Sequence, residues 1–352
     1  MTDTPIRSIC VLRLSAIGDT CNMMPIIRTL QSELPDASVT WIIGRTEHRL
    51  LKDVSGVEFL VFDKKGGRGA RRKLKAQLAG RKFDVLLHMH ASMRANRLAR
   101  YVDSPRKVGF DGRRARDFQR FFCSESISGD SSVHVLDGFF QFVEHLGITR
   151  RHMIWDVPLD DADREFARAT MSDRSLLISP CSSQRWRNFR NWRAENYAQI
   201  VDLAHQKYGL DVVLTGGPTQ LEAEYGQSIS AMAEAPVKNL IGQTSLTQLM
   251  ALVDRAGVVL SPDSGPAHMA TATGTPVIGL YATSNRWRTG PYLSQEWVVD
   301  RYPDAVTRAL GKPVTQLPWG YRVRSPYAMD LITVDDVAQK LDGVVSQVIG
   351  SA

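Results

Sequence analysis

The feature that most constrains the fold of this chain is a regular alternation of short apolar runs with longer amphipathic stretches. In the first half the apolar runs are SICVLRL, SVTWIIG, VEFLVFD and FDVLLHMH, and each is followed by a segment with helical spacing. Strands that alternate with helices predict a parallel sheet with helices on both faces. We therefore expect an α/β protein whose ligand site lies at the carboxyl ends of the strands.

The pattern lapses around residues 150–175 and then begins again. The apolar runs of the second half are SLLISPCSS, LDVVLTGGP, VKNLIGQ, VVLSPDSG and TPVIGLYA. A chain of 352 residues is too long for one ordinary core, so we expect two doubly wound, Rossmann-like domains at residues 1–160 and 161–330. The final segment, 331–352, is predicted to be a helix that packs back on the first domain.

The composition suits a globular protein without a membrane span or a metal cluster. Hydrophobic residues make up 43% of the chain, and no apolar run reaches the ~18 residues of a transmembrane helix. The N-terminus lacks the apolar stretch of a signal peptide, so we expect a cytoplasmic location. The cysteines form no CxxC pair and are expected to be free thiols: Cys10, Cys21, Cys123 and Cys181.

The net charge of +7 is moderate, but the basic residues are concentrated in the first half. Between residues 64 and 82 there are nine Lys or Arg and no acid, and a second basic stretch runs from Arg94 to Arg120. A single basic run is often only a solvated surface. Two such runs in one domain predict an anionic partner: a nucleic acid, a membrane surface or a phosphorylated substrate.

The strongest local motif is VVLSPDSGPAHMATATGTPVIGLYA, at residues 258–282. A buried strand leads directly into a helix, and Asp263 or Ser264 is placed to cap it. The exposed amides at such a helix start attract phosphate, Gly265 permits close approach, and His268 adds a donor. Asp263 would repel phosphate, so it suits capping or accepting hydrogen bonds from sugar hydroxyls. The alternative is a plain capped helix with a core histidine.

A second motif, VLRLSAIGDTCNMMPIIRTL, places Gly18 and Asp19 between the first strand and its helix. A dinucleotide-binding protein would carry GxGxxG here, and its absence argues against a dinucleotide-dependent oxidoreductase. The tip of the first strand instead presents a carboxylate on the rim where ligands bind. One interpretation of Asp19 is a helix N-cap.

Together these motifs closely resemble those of bacterial lipopolysaccharide heptosyltransferases, which form glycosyltransferase family 9. The resemblance includes the Gly-Gly-Pro turn at 216–218 and the segment LIGQTSLTQLMALVDRAGVVLSPDSG, in the same order along nearly the whole chain. The pattern is most similar to heptosyltransferase I.

This resemblance implies a GT-B fold, in which two Rossmann-like domains face each other across a cleft. It implies an ADP-heptose donor bound by the C-terminal domain and a Kdo-bearing lipid A acceptor bound by the N-terminal domain. It also implies inversion at the anomeric carbon, with no cofactor and no required metal.

The family has its catalytic aspartate at the position of Asp19. An inverting transfer needs one general base to accept the proton of the attacking hydroxyl, whereas a glycosidase uses two carboxylates. The resemblance therefore assigns Asp19 as the base, and a capping role is compatible with that assignment.

The departing diphosphate needs charge stabilisation, and no DxD motif that would hold a metal ion stands at a predicted strand end, since the one DxD triplet, at 161–163, lies in the interdomain segment. The candidates are the helix start at 264–268, the hydroxyls of Ser182 and Ser183, and the side chains of Arg185, Arg187 and Arg190. The family carries a lysine before a His-Trp or similar pair, and Arg190, which precedes Asn191 and Trp192, matches it best. Arginine still suits a phosphate, because it presents several donors.

Two further donor contacts are suggested. Glu222, in the helix after the Gly-Gly-Pro turn, matches a family acid that contacts the donor ribose, and its alternative is an ordinary surface residue. Thr244, beside the start of the following helix, is a candidate for the adenine pocket.

The acceptor implied by the family is polyanionic, because Kdo carries carboxylates and lipid A carries phosphates. The first basic run is expected to bind it, or to hold the protein on the anionic inner face of the inner membrane. The candidate residues are Lys64, Lys65, Arg68, Arg71 and Arg72. His88, His90 and His134 lack the spacing of a metal site and are expected to be rim or core residues.

Two rival functions stay open. The first is a family 9 transferase that uses another nucleotide sugar or adds a later core heptose. The second is a nucleic-acid-binding protein, which would explain the basic runs. Against it, we find no aromatic residues interleaved with those runs and no RNA-recognition or helix-turn-helix signature. We therefore expect no nucleic-acid partner.

Overall fold

The chain divides by its internal contacts into two units, Met1–Pro158 and Leu159–Ala352. The computed structural model describes residues 5–182 and 188–350. The boundary lies beside the one expected at residue 160, but the second unit also takes in the C-terminal segment.

The first unit is built on a parallel six-stranded sheet with the order β3-β2-β1-β4-β5-β6. Its strands are β1 (Ser8–Leu12), β2 (Ser38–Gly44), β3 (Val57–Phe62), β4 (Val85–Leu87), β5 (Arg106–Gly109) and β6 (Glu125–Ser126). In the central strand β1, Ile9 lies opposite Val39 of β2 and Val85 of β4. Residues 9–12 are all fully buried, which explains why this strand is continuously apolar rather than alternating.

The helices of the first unit are α1 (Ile17–Cys21), α2 (Met24–Glu33), α3 (Arg45–Leu51), α4 (Gly67–Leu78), α5 (Met93–Ala99) and α6 (Val135–Glu144). A proline stands in the first turn of α2, where its missing N–H is not needed for the helix. Helix α5 is capped at its start by Ser92, whose hydroxyl accepts the N–H of Ala95.

The second unit has a parallel six-stranded sheet with the order β12-β11-β10-β7-β8-β9. Its strands are β7 (Ser175–Ile178), β8 (Asp211–Leu214), β9 (Val237–Asn239), β10 (Val258–Pro262), β11 (Val277–Tyr281) and β12 (Val299–Asp300). Its helices are α7 (Asp161–Thr170), α8 (Ala194–Tyr208), α9 (Gln220–Met232), α10 (Leu246–Arg255), α11 (Gly265–Thr273), α12 (Arg286–Thr289), α13 (Tyr302–Leu310) and α14 (Val334–Val344).

Both sheets have the same winding. Numbered within its own unit, each follows the order 3-2-1-4-5-6 of a Rossmann fold. The direction of winding reverses between β1 and β4 in the first sheet and between β7 and β10 in the second. Ligands of such sheets bind beyond the carboxyl ends of the strands at this reversal.

The C-terminal helix α14 belongs to the second unit. Val337, Leu341 and Val344 are fully buried in the same core as strands β7, β8 and β10. The indole Nε1–H of Trp192, itself fully buried, donates to the carbonyl of Ile332 at 2.9 Å and ties the start of this segment to the same core. The apolar face of α14 therefore completes the second core.

Two further expectations concern the whole chain. In the part of the chain that the structure describes, no helix combines the length and apolarity needed to cross a membrane. All four cysteines are free thiols, as expected. Burial raises the pKa of the Cys21 thiol to about 12, and the nearby Asp19 charge adds to that rise, so this thiol is unreactive at neutral pH.

The position of α14 predicts a stability effect. Leu341→Ala should lower the free energy of unfolding by about 2–5 kcal/mol, because it leaves a cavity in a closed core. Gln339→Ala on the exposed face of the same helix is the matched control and should change it by less than about 0.5 kcal/mol. Denaturant unfolding measures the free energy of unfolding of both variants. If the Leu341 variant loses as little stability as the Gln339 variant, the packing described here is wrong.

Candidate functional site

The first unit places a carboxylate beside an arginine where its sheet reverses. Strand β1 ends at Leu12, and Asp19 lies in the short helix α1 that follows. The Asp19 Oδ2 atom lies 2.5 Å from Arg13 Nη2 and accepts the backbone N–H of Ala16 at 3.1 Å. The side chain of Asp19 is 30% exposed, so the carboxylate is fixed in position yet reachable from solvent.

Arg13 is fixed in turn by its own surroundings. Its Nη1 donates to the carbonyl of Met89 at 2.6 Å, and its guanidinium lies 4.9 Å from the ring centre of Phe139. Only 12% of its side chain is exposed. Sequence reasoning missed Arg13, although its position as the charged residue directly after a buried strand was a usable signal.

Two histidines near this rim, His88 and His90, are neutral at pH 7. His90 Nδ1 accepts the N–H of Leu14 at 3.3 Å, and burial, assisted by the Arg13 charge, lowers the pKa of His90 to about 3. His88 is fully buried with Nε2 against Asn96 Oδ1 at 2.9 Å, and burial lowers its pKa to about 4. His134 caps α6 by accepting the N–H of Leu136. All three therefore serve as rim or core residues.

Lys64, expected to bind an acceptor, is paired inside the first unit. Its Nζ lies 2.7 Å from Oε1 of Glu47, a carboxylate that is only 4% exposed as a residue. Gly44 makes room for this pair, because a Cβ there would come within 2.3 Å of Glu47 Oε2 and of the Leu14 carbonyl. The charge of Lys64 is thus already neutralised, which sets it apart from the rest of its basic run.

The rest of the first basic run lies on or just before α4. Lys65, Arg68 and Arg72 are exposed and Arg71 is half-buried. Within residues 5–182 and 188–350, none of these four forms an ion pair. No side chain caps the start of α4, and its first turn holds no acid. This helix therefore presents positive charge that no neighbouring carboxylate cancels.

The second unit gathers Ser182, Arg190 and Asp263 at its own reversal point. Arg190 Nη1 donates to the Asp263 carbonyl at 2.7 Å, and its Nε donates to Asn188 Oδ1 at 3.0 Å. Ser182 is 2% exposed, and its backbone N–H donates to Asn191 Oδ1 at 2.9 Å. The loop after β7 is thereby joined to the loop after β10. The other predicted members of this loop, Ser183, Arg185 and Arg187, lie outside the described residues.

Asp263 was expected to cap helix α11 or to accept hydrogen bonds from sugar hydroxyls, but its partners within the protein are other side chains. Its Oδ2 accepts the hydroxyl of Ser284 at 2.8 Å and Nη2 of Arg322 at 3.3 Å, and it lies 3.5 Å from Arg190 Nη1. The residue is 4% exposed and does not cap α11. Asp263 thus holds two arginines at the strand end. Arg322 and Ser284 were missed because they come from distant, irregular segments joined by an isolated bridge.

Helix α11 begins at Gly265 without a side-chain cap. Ser264 is the N-cap residue by its backbone, but its hydroxyl bonds to the hydroxyl of Ser261 at 2.8 Å instead of to a helix amide. The side chain of the N-cap residue thus accepts from none of the amides of the first turn, and such amides attract an anionic acceptor. With Arg190 and Arg322 beside it, this helix start has the donors and the charge to bind a phosphate.

Glu222 has a clear structural task. Its Oε1 accepts the N–H of Gly217 at 2.8 Å, and its Oε2 accepts the hydroxyl of Thr219 at 2.6 Å, which shapes the Gly-Gly-Pro turn before α9. Burial raises the pKa of Cys181 to about 12, and the Glu222 charge adds to this, so Glu222 lies near the loop after β7. Thr244 is half-buried just before α10.

Comparison with known proteins bears on what this site belongs to. Residues 71–317 match the family model described as glycosyltransferase family 9 (heptosyltransferase). The chain is 38% identical over 338 residues to a Haemophilus influenzae protein named lipopolysaccharide core heptosyltransferase OpsX, which covers 96% of both chains. It is 25% identical over 289 residues to lipopolysaccharide heptosyltransferase 3 of Escherichia coli, covering 77% of this chain and 82% of that one.

Solved structures share the fold. A family 9 glycosyl transferase from Veillonella parvula matches with a TM-score of 0.77 at 21% identity, covering 98% of this chain and 99% of that chain. The E. coli heptosyltransferase WaaC, solved with ADP, matches with a TM-score of 0.72 at 16% identity, covering 96% and 99%. These likenesses confirm the predicted GT-B fold with its two Rossmann-like domains. The family model and the 38% identical relative show more, namely that this chain belongs to glycosyltransferase family 9, the heptosyltransferase family.

Proposed function

We propose that the protein transfers L-glycero-D-manno-heptose from ADP-heptose to the Kdo region of lipid A during synthesis of the lipopolysaccharide inner core. The observation that carries this proposal is the pairing of Asp19 with Arg13 at the reversal point of the first sheet, in a chain of this family. The named core heptosyltransferase of H. influenzae, aligned over 96% of the chain, supports the substrate class.

The donor is proposed to bind the second unit. Arg190, Arg322 and the uncapped start of α11 supply positive charge and amide donors in one place, which suits the diphosphate of ADP-heptose. Within this helix start, Gly265 allows the phosphates to approach the backbone, and Ser182 holds the adjoining loop. Glu222 and Thr244 remain the proposed contacts to the ribose and the adenine. The E. coli relative WaaC was solved with ADP, which supports a nucleotide in a fold of this kind.

The chemistry is proposed to be a single displacement. The acceptor hydroxyl attacks the anomeric carbon, its proton passes to the Asp19 carboxylate, and the bond from the anomeric carbon to the phosphate oxygen breaks with inversion. Arg13 and the Ala16 amide hold this carboxylate in place through its Oδ2 atom during this step. ADP leaves with its added charge held by the arginines and helix amides of the second unit, without a divalent metal.

The acceptor is proposed to bind the first unit through the open charges of α4. Lys65, Arg68, Arg71 and Arg72 carry no internal ion pair in the described ranges, so they are placed to bind the carboxylates of Kdo and the phosphates of lipid A. Lys64 has a lesser part in this proposal, because Glu47 already neutralises it. A lipid acceptor also implies that the protein works on the anionic inner face of the inner membrane.

A second candidate is the addition of a later core heptose. It is favoured by the E. coli relative named lipopolysaccharide heptosyltransferase 3, which aligns over 77% of this chain. The deciding experiment incubates the protein with ADP-heptose and either Kdo-lipid A or the same acceptor already carrying one heptose. A mass gain of one heptose on Kdo-lipid A alone supports the first step, and a gain only on the extended acceptor supports the later one. Competition with GDP- and UDP-sugars tests the donor.

The role of Asp19 predicts a kinetic defect. Asp19→Asn should lower turnover roughly 10²–10⁴-fold, because it removes the proton acceptor while preserving the shape of the side chain. The KM for ADP-heptose should stay within a few-fold of the original value. Asp53→Asn, an exposed residue of the same unit, is the matched control. Turnover of the Asp19 variant close to that of the unaltered protein would remove this residue from the mechanism.

The arrangement at α11 predicts activity without divalent cations. Heptose transfer should persist after dialysis against EDTA, because two arginines and the helix amides supply the positive charge that a metal would otherwise bring. The measurement is the initial rate with and without chelator. Complete loss of activity that Mg²⁺ or Mn²⁺ restores would show that the leaving group is stabilised in another way.

The open face of α4 predicts a selective loss of acceptor binding. Changing Arg68, Arg71 and Arg72 together to alanine should raise the acceptor KM far more than the donor KM, and the effect should be larger at low salt, where charges are less screened. A matched control removes three exposed charges from the second unit: Lys207, Lys238 and Lys312 to alanine. A rise in donor KM alone would mean that substrates were assigned to the wrong units.

A further inference from the structure

The second basic stretch has so far no part in the proposed reaction, and it ends in the most exposed aromatic side chains of the described ranges. Phe118 and Phe121 are 68% and 69% exposed. Their ring centres lie 6.3 Å apart, so the rings form one apolar spot. They belong to the segment 111–122, called here the aromatic–arginine loop, which ends in the short 3-10 helix Gln119–Phe122.

The outward position of Phe118 is imposed by the backbone. Asp117 and Phe118 have φ values of 53° and 63°, in the left-handed region that non-glycine residues rarely adopt. Two hydrogen bonds from α5 hold this turn: the N–H of Met93 donates to Asp117 Oδ2 at 2.9 Å, and Asn96 Nδ2 donates to the Asp117 carbonyl at 2.7 Å. The two hydrogen bonds keep the backbone in this unfavourable conformation, and in this conformation the ring of Phe118 is exposed to solvent.

A buried network supports the same turn from beneath. Gln119, only 1% exposed, donates its Nε2–H to the carbonyl of His88 at 2.8 Å. His88 in turn bonds to Asn96, and both are fully buried. Because buried polar groups of this kind are costly to leave unpaired, the network fixes the loop relative to the sheet. Phe118 is therefore presented on a rigid support.

The loop and the helix α5 that holds its turn also carry exposed positive charge. Arg113, Arg116 and Arg120 of the loop are exposed, as are Arg94 and Arg97 on α5 and Arg100 at its C-cap. Among the described residues, none of these six arginines forms an ion pair. The acids of the loop are engaged: Asp111 pairs with Arg114, and Asp117 accepts the Met93 amide. This part of the first unit thus combines two exposed aromatic rings with exposed arginines.

We infer that the aromatic–arginine loop docks on an anionic phospholipid bilayer. Phe118 and Phe121 enter the boundary between headgroups and acyl chains, and the exposed arginines bind lipid phosphates. The complementarity of charge selects this occupant: open arginines attract an anionic surface, and the two rings gain by leaving water. The inference rests on the proposed function only in that a lipid-linked acceptor would be met at such a surface.

Single-stranded nucleic acid is the other polyanion that such a loop suggests. The sequence expectation that no aromatic residues are interleaved with the basic runs is wrong here, since Phe118 and Phe121 alternate with Arg116 and Arg120. Stacking of bases needs open ring faces. The Arg120 guanidinium lies 4.8 Å from the ring centre of Phe121, so one face of that ring is covered. The geometry favours the bilayer.

The test is sedimentation with vesicles of phosphatidylethanolamine and phosphatidylglycerol, against vesicles of phosphatidylcholine alone. The unaltered protein should bind the anionic vesicles, less at high salt. The double variant Phe118→Ser, Phe121→Ser should bind them on the order of tenfold less tightly. The triple variant Arg113→Gln, Arg116→Gln, Arg120→Gln should lose the preference for anionic vesicles. Leu293→Ser with Tyr327→Ser, two exposed apolar residues of the second unit, is the control and should bind as before.

The outcomes separate this inference from the proposed function. Vesicle binding is measured without any substrate, so its result does not depend on whether the protein transfers heptose. Where transfer occurs, the double variant should retain its rate on a deacylated acceptor in solution and lose rate only on acceptor embedded in vesicles. The inference is overturned if the unaltered protein does not bind the anionic vesicles. It is also overturned if both variants bind them as tightly as the unaltered protein does. Binding of polyuridylate, a single-stranded RNA, is measured in parallel. If the double variant loses polyuridylate binding but keeps vesicle binding, the inference is also overturned.

Discussion

Each sheet reverses its winding between two neighbouring strands, and the candidate site depends on that reversal. The loops that follow β1 and β4, or β7 and β10, lead away in opposite directions and leave the strand ends uncovered. Arg13 and Asp19 occupy this place in the first unit, and Arg190 and Asp263 occupy it in the second. Because the strands themselves are buried on both faces, their carboxyl ends are where polar groups can be presented without entering the core.

Both units contain an ion pair between an arginine and a carboxylate, but the partner that is more exposed to solvent differs between them. In the first, the arginine is the more buried partner, with 12% of the Arg13 side chain exposed against 30% for Asp19. In the second, the carboxylate is the more buried partner, with 6% for Asp263 against 40% for Arg322. The partner that faces solvent decides the sign of the local surface. The same chemical pair therefore presents a carboxylate on one unit and a guanidinium on the other.

The sequence predicts what is local and fails where distant segments meet. Alternating apolar runs were sufficient for two parallel sheets, and the position of Asp19 followed from the end of the first strand. The partners of Asp263 were not predictable, because Ser284 and Arg322 are far from it in the chain. The pairing of Lys64 with Glu47 was missed for the same reason. The amphipathic pattern of helix α14 predicts a buried face, but it does not identify the core that covers that face.

The place of α14 also bears on how the protein is made. The first unit is one continuous stretch of chain, so its sheet is complete as soon as that stretch leaves the ribosome, and N-terminal domains generally fold first during synthesis. The second unit needs Val337, Leu341 and Val344 to close its core. Its earlier strands and helices must wait, with apolar surface uncovered, until α14 has been synthesised. Uncovered apolar surface of this kind favours aggregation, so the late synthesis of α14 lengthens the time for which the second unit is exposed to it.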